Sequence, residues 1–232
     1  GFSAAVLPRW VQAGGATETR LTDPDLLPGI RGEIARNIEN RGGPESLVLI
    51  SYTKDSTFNG KSLAEISKLI GKPVVETAIH LILNGGSSVI SFNMNESDVL
   101  HFMQKDYVMT SSDGHVVLPG DGMPHPRSYG AFTRKIRKYV LEDQVITMEH
   151  AIRAATSLPA KMLGLNDRGM IKKGFAADLV IFDPQNIRDK ATFTDPHHYS
   201  KGIVYLFING ELVIEKEEYN GKLAGKPLRM NQ

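Results

Sequence analysis

Cysteine is absent from the 232 residues. That excludes disulfides and any thiolate metal ligand supplied by the chain itself. It suits a reducing compartment without requiring one, so cytoplasm and periplasm both stay open. An excess of one charge is lacking too, because 27 Lys and Arg stand against 26 Asp and Glu, for a formal net charge of +1. Neither nucleic acid nor an anionic membrane surface is therefore an expected partner. No apolar run approaches the roughly 18–20 residues that span a bilayer. The apolar start, Gly1 to Pro8, is brief and has no basic stretch ahead of it, which does not make a signal peptide. Internal repeats and low-complexity segments are missing as well. What is present is an ordinary globular composition, 41% hydrophobic and 23% charged, long enough to bury a sizeable core.

Periodicity divides the chain into alternating elements. Pro8 to Gly15 predicts a short helix stopped by a glycine pair. Asp23-Pro24 opens a longer one through Ile30, Ile34 and Ile38 at helical spacing, ending near Gly42-Gly43. Leu47 to Tyr52 is a continuous apolar run, as in a strand buried on both faces. Helices are expected over Ser62 to Leu69 and Val74 to Leu83, and a second strand over Ser88 to Phe92. Asn95 caps a helix that runs to about Gln104, with acidic residues in its first turn. A third strand is expected at Tyr107 to Thr110. Such alternation argues for parallel strands with crossover helices.

A long Gly- and Pro-containing loop, Asp113 to Tyr129, follows the third strand, and loops of that length in compact domains are usually functional. Helices are expected over Ala131 to Leu141 and Thr147 to Ser157, with a further turn at Pro159. Then the texture changes to strands, at Ala177 to Asp183 and at Val204 to Ile208 and Glu211 to Ile214. The last two flank Asn209-Gly210, a strong hairpin signal. Three β–α units leave two long open sheet edges, which natural sheets close or cover. A (β/α)8 barrel needs about 250 residues, so about 145 residues here read as its last third. The chain is expected to be a piece of a larger fold, and a start at Gly1 in place of Met agrees with truncation.

Specific motifs stand in this frame: Met94-Asn95-Glu96-Ser97-Asp98-Val99, Ser112-Asp113-Gly114, His125-Pro126-Arg127, Tyr129-Gly130-Ala131-Phe132 and Arg134. Thr156-Ser157-Leu158-Pro159-Ala160, Asp167-Arg168-Gly169-Met170-Ile171 and Ala177-Asp178-Leu179-Val180-Ile181-Phe182-Asp183 follow in order. In these motifs the chain resembles the D-aminoacylase (N-acyl-D-amino-acid deacylase) family of amidohydrolases, over nearly its whole length. The Ala-Asp-Leu-Val strand is shared by most amidohydrolases, whereas Ser-Asp-Gly followed by His-Pro-Arg is narrower. The resemblance implies an α/β fold. Residues 1–165 would be the C-terminal portion of a TIM-barrel catalytic domain, and residues 166–232 strands of a small β-sandwich.

The resemblance also implies zinc-dependent hydrolysis of the amide bond of N-acyl-D-amino acids. Asp113, at the C-terminal end of a barrel strand, would be general base and then acid. Met94, His125 and Arg127 would bind the small-molecule substrate, with Arg127 taking its carboxylate in a bidentate fork. From its residue type alone, Asp113 is equally a turn cap, Arg127 a loop-anchoring ion pair, and Met94 core filler. His80 and His101 read as ordinary helix residues, His197-His198 as a solvated turn, and His115 has no family role. The family's zinc ligands include His-x-His and a cysteine, neither of which this chain has. The Zn2+ ligands, Asp113 excepted, are thus expected from an N-terminal half, on the same or a separate chain. Ring opening of the hydantoinase or dihydroorotase kind and a catalytically silent scaffold are the other readings.

Overall fold

Phe2, Ala5 and Val6 open the chain on a short helix, α1 (Phe2–Val6), in the computed structural model, which describes residues 1–120 and 122–228. The chain divides into two compact units, Gly1–Met94 with Asp121–Pro124, and Asn95–Gly120 with His125–Gln232. The division falls inside the segment that the motifs assigned to the barrel.

The first unit continues with α2 (Arg9–Gln12), α3 (Thr17–Thr22), α4 (Leu27–Glu39), β1 (Leu47–Leu49), α5 (Leu63–Ile70), α6 (Val74–Leu83) and β2 (Val89–Ser91). Side chains satisfy free amides ahead of α4 and at the start of α5. Asp23 Oδ1 accepts from Asp25 N ahead of α4, at 2.8 Å. Ser62 and Glu65 form a reciprocal capping box on α5. Ile30, Ile34 and Ile38 are all buried on one face of α4, as their spacing predicts. They join Phe2, Val6, Leu47, Leu49, Leu63, Ile66 and Leu81 in one continuous core. Each such side chain contributes roughly 1.5–3 kcal/mol by leaving water. The two strands pair antiparallel, Val48 opposite Ile90, which corrects the expectation of parallel strands. Alternation of apolar runs and helices cannot tell the two pairings apart. Both strands are three residues long, shorter than the apolar runs suggest.

The second unit begins with α7 (Glu96–Met103), capped by Asn95 Oδ1, which accepts from Ser97 N at 2.9 Å. Tyr107 to Thr110 forms no strand, a second correction. A strand needs a neighbour for its ladder. Thr110 N instead donates to Ala154 O at 2.9 Å, and Tyr107 is largely exposed. After the long loop come α8 (Arg127–Arg134), which runs directly into a π-helical stretch Lys135–Glu142, then α9 (Met148–Ala155) and α10 (Ser157–Met162). Strands β3 (Leu179–Phe182), β4 (Ile203–Ile208), β5 (Glu211–Glu215) and β6 (Glu218–Tyr219) make one antiparallel sheet in that order. Asn209 and Gly210 both take positive φ in the β4–β5 turn, as the hairpin signal requires. Asp178 braces that turn: its Oδ1 accepts from Asn209 N at 2.7 Å, and its other oxygen pairs with Arg168.

The two units are built differently. The first gathers its buried side chains into one continuous core, while the second leaves Val116 98% and Ile171 92% exposed, Tyr107 largely so and Val180 and Ile181 about half.

Candidate active site

The site residues of the second unit meet where the long loop enters α8. Thr110 is pinned first: Lys135 Nζ, on the π-helical stretch, donates to its Oγ1 at 2.7 Å while its amide is held by Ala154. Three residues on, Asp113 takes a left-handed φ of 48°, a conformation open to Asp though rare for most residues. Ser112 Oγ closes this turn by accepting from Gly114 N at 3.1 Å. The turn-capping role that residue type allowed to Asp113 thus falls to Ser112. Gly114 then passes the start of α8 so closely that a Cβ on it would lie 3.0 Å from Ser128 Cα and 3.2 Å from Arg127 O. That close approach brings Asp113 to Arg127.

Arg127 Nη2 lies 2.8 Å from Asp113 Oδ2, with the Asp113 side chain 83% exposed. The Arg127 amide donates to His125 Nδ1 at 3.1 Å, so that nitrogen is an acceptor and the neutral ring carries its proton on Nε2. Burial holds the imidazole below its ordinary pKa. The Arg127 charge pushes the same way, and Asp113 partly offsets both. The ring of Phe193 meets His125 edge to face, 5.0 Å between centroids. Arg127 Nε and Ser128 Oγ are buried with no hydrogen-bond partner among the described residues.

The fold therefore brings together Asp113, His125 and Arg127. Met94 belongs to the first unit, three residues beyond β2, with 77% of its surface exposed. The sequence reading missed Lys135, since a lysine in a helix carries no sign of burial. It also took His197-His198 as a solvated turn. His198 does sit exposed against Asp195, Nε2 to Oδ2 2.7 Å. His197 does not: its Nδ1 is 2.9 Å from the Tyr129 hydroxyl. Among the described residues, no group of three or more His, Cys, Asp or Glu is arranged to hold a metal ion. The residues present supply a carboxylate, a guanidinium and an imidazole, and they do not fit a complete metal site.

In comparison with known proteins, residues 101–214 match the model of the amidohydrolase family. The chain is 41% identical over 151 residues to an N-acyl-D-glutamate deacylase of Alcaligenes xylosoxydans xylosoxydans, covering 65% of this chain and 30% of that protein. It is 35% identical over 171 residues to a D-aminoacylase of the same organism, covering 74% and 34%. Among solved structures it is similar to the N-acyl-D-glutamate deacylase of Bordetella bronchiseptica complexed with zinc and a phosphonate inhibitor. That match has a TM-score of 0.67 and 34% identity, over 75% of this chain and 36% of the other. The chain spans about a third of the length of the relatives it matches.

Proposed function

We infer that the chain belongs to the D-aminoacylase family of amidohydrolases, and from that premise that it carries the proton-transfer and carboxylate-binding part of an N-acyl-D-amino-acid deacylase. Asp113 takes a proton from the water that attacks the acyl carbon, then returns it to the departing nitrogen as the amide C–N bond breaks. The products are a carboxylate and a free D-amino acid. Arg127 binds the carboxylate of the substrate. Its guanidinium already holds one carboxylate, that of Asp113, at 2.8 Å, and a planar fork has donors left for a second. His125 stands beside Arg127 for the same substrate, and Met94 is a substrate-binding residue by the family resemblance alone.

The 2.8 Å Asp113–Arg127 pair, inside the segment that matches the family, carries this reading. The Zn2+ ligands come mainly from an N-terminal half, on the same polypeptide or a separate one, since the His-x-His and cysteine of the resembled family are not in this sequence. Residues 1–165 are the C-terminal portion of the TIM barrel, and residues 166–232 strands of a β-sandwich. The bare apolar side chains of the second unit support this, because a completed barrel and a second sheet would cover Val116, Tyr107, Val180 and Ile181.

The test is release of free amine from N-acetyl-D-glutamate. The purified chain with added zinc is expected to release none. Combined with the metal-bearing half it is expected to turn over, and Asp113→Asn is expected to slow that turnover by about 10²–10⁴. Full activity of the Asn variant in the combined protein would sink the reading.

A further inference from the structure

The segment from Asp189 to Ser200 lies along the start of α8. Phe193 stands edge to face against His125. His197 takes the Tyr129 hydroxyl at 2.9 Å. Tyr199 packs on the Tyr129 ring, 5.5 Å between centroids and 70° between planes. Ser200 Oγ donates to Tyr129 O at 3.1 Å and lies 2.6 Å from Thr133 Oγ1. Asp189 comes so close to Gly130 that a Cβ there would lie 2.5 Å from its own Cβ. Six α8-side contacts thus fall on one short stretch that sits nearly seventy positions away in sequence.

At the centre is His197. Gly120 N donates to its Nδ1 at 3.4 Å, which makes Nδ1 an acceptor and Tyr129 Oη the donor. One imidazole nitrogen therefore ties the loop after Asp113, through Gly120, to the first turn of α8, through Tyr129. Arg127 and His125 precede Tyr129 by two and four positions, so their placement depends on how that turn is held.

We infer that His197 is a positioning residue: it latches the first turn of α8 and thereby sets Arg127 and His125 for the substrate carboxylate. The role rests on the deacylase reading above, but the latch itself does not. Loss of the latch weakens substrate binding more than it slows the chemical step, because Asp113 is held by its own turn through Ser112 and by Thr110.

The latch is read by hydrogen exchange on this chain, at the amides of Ser128, Tyr129 and Gly130, which bond to the His125 and Pro126 carbonyls. His197→Leu is expected to speed their exchange about fivefold, the loss of one net hydrogen bond. Tyr129→Phe should do the same without touching the imidazole, and it serves where the Leu variant folds poorly. The double variant should be no faster than either single one, as for two partners of one bond. His197→Asn places an oxygen near the position of Nδ1 and should restore the slow rate. In the zinc-loaded protein combined with its metal-bearing half, His197→Leu should raise KM for N-acetyl-D-glutamate about fivefold with kcat changed less, and Asn should recover it. Unchanged exchange, an Asn variant as fast as Leu, or additive singles would each overturn the latch. Faster exchange with an unmoved KM would overturn the positioning role. If the combined protein hydrolyses no N-acyl-D-amino acid, the deacylase reading falls while the exchange rates still decide the latch.

Discussion

Asp113 meets Arg127 because Gly114 has no side chain: the turn after Asp113 passes so close to the first turn of α8 that the carboxylate and the guanidinium stand 2.8 Å apart. The pair is open to water, with Asp113 83% exposed, so its contribution to stability is small, about 0–1 kcal/mol. Its interest is in what each partner does once a substrate is bound, and the two can be separated kinetically. Asp113→Asn keeps the shape and tolerates the left-handed backbone, yet it cannot carry a proton. In the combined, zinc-loaded protein kcat is expected to fall by about 10²–10⁴ with KM little moved. Arg127→Met removes the charge-assisted donors, and KM for the N-acyl amino acid is expected to rise about 10–100-fold. Steady-state kinetics on both variants check the division. A kcat loss confined to the Arg127 variant would reverse the roles.

His125 sets a pH dependence of stability. Burial and the Arg127 charge hold its folded pKa below the ordinary 6.5, so below that pH the unfolded chain binds more protons than the folded one. Stability therefore falls as pH drops from about 6.5 toward the folded value and is level beneath it. The carboxylates held below their usual values, such as Asp55 and Asp183, lose their contribution only at lower pH. Urea denaturation from pH 8 to pH 5 should thus show a loss between 6.5 and 5. His125→Asn keeps an acceptor for the Arg127 amide and should flatten that loss. A slope of equal size in the variant would remove His125 as its source.

Glycines test the packing from which the site is built. Gly130→Ala drives a methyl to within 2.5 Å of Asp189 Cβ and is expected to cost about 1–3 kcal/mol by overpacking. Gly32→Ala, on the exposed side of α4 with open space around it, should instead stabilise by about 0.5–1 kcal/mol. Equilibrium denaturation reads both. The opposite signs separate a steric requirement from a general dislike of substitution.

These tests also show which features were legible in the sequence. Local signals were readable: the isoleucines of α4, the bounds of α6, the Asn95 and Thr147 caps and the Asn209-Gly210 hairpin each follow from a few neighbouring residues. The Asp113, His125 and Arg127 cluster was legible as a motif, and its geometry then followed from one glycine. Pairing was not legible. The antiparallel register of β1 and β2, and the failure of Tyr107 to Thr110 to form a strand, depend on which backbone groups find partners, and periodicity does not encode that. His197 was invisible for the same reason, since nothing near it in sequence announces Tyr129.

Lys135, whose burial no neighbouring residue announces, ties the stability of the second unit to Thr110. The residue is buried, burial alone holds its ammonium below the ordinary lysine pKa, and its hydrogen bond to Thr110 Oγ1 at 2.7 Å is the only one found for it among the described residues. A buried cation so sparsely paired is costly, and its cost depends on Thr110. Thr110→Val keeps the shape but strips the ammonium of that acceptor, and it should destabilise by about 1–3 kcal/mol. Lys135→Met keeps most of the packing and removes the charge, so it should lie within about 1 kcal/mol of the parent on either side. The double variant should then resemble Lys135→Met rather than the sum of the singles, because once the charge is gone the hydroxyl has nothing to satisfy. Because burial lowers its pKa, Lys135 loses its charge in the folded chain before it does in the unfolded one, so the Thr110→Val penalty should shrink as pH rises through the folded value. Denaturant midpoints of the four proteins at pH 7 and pH 10 decide it. Additive penalties that do not change with pH would mean that the ammonium is solvated and that Thr110 does not anchor the turn leading to Asp113.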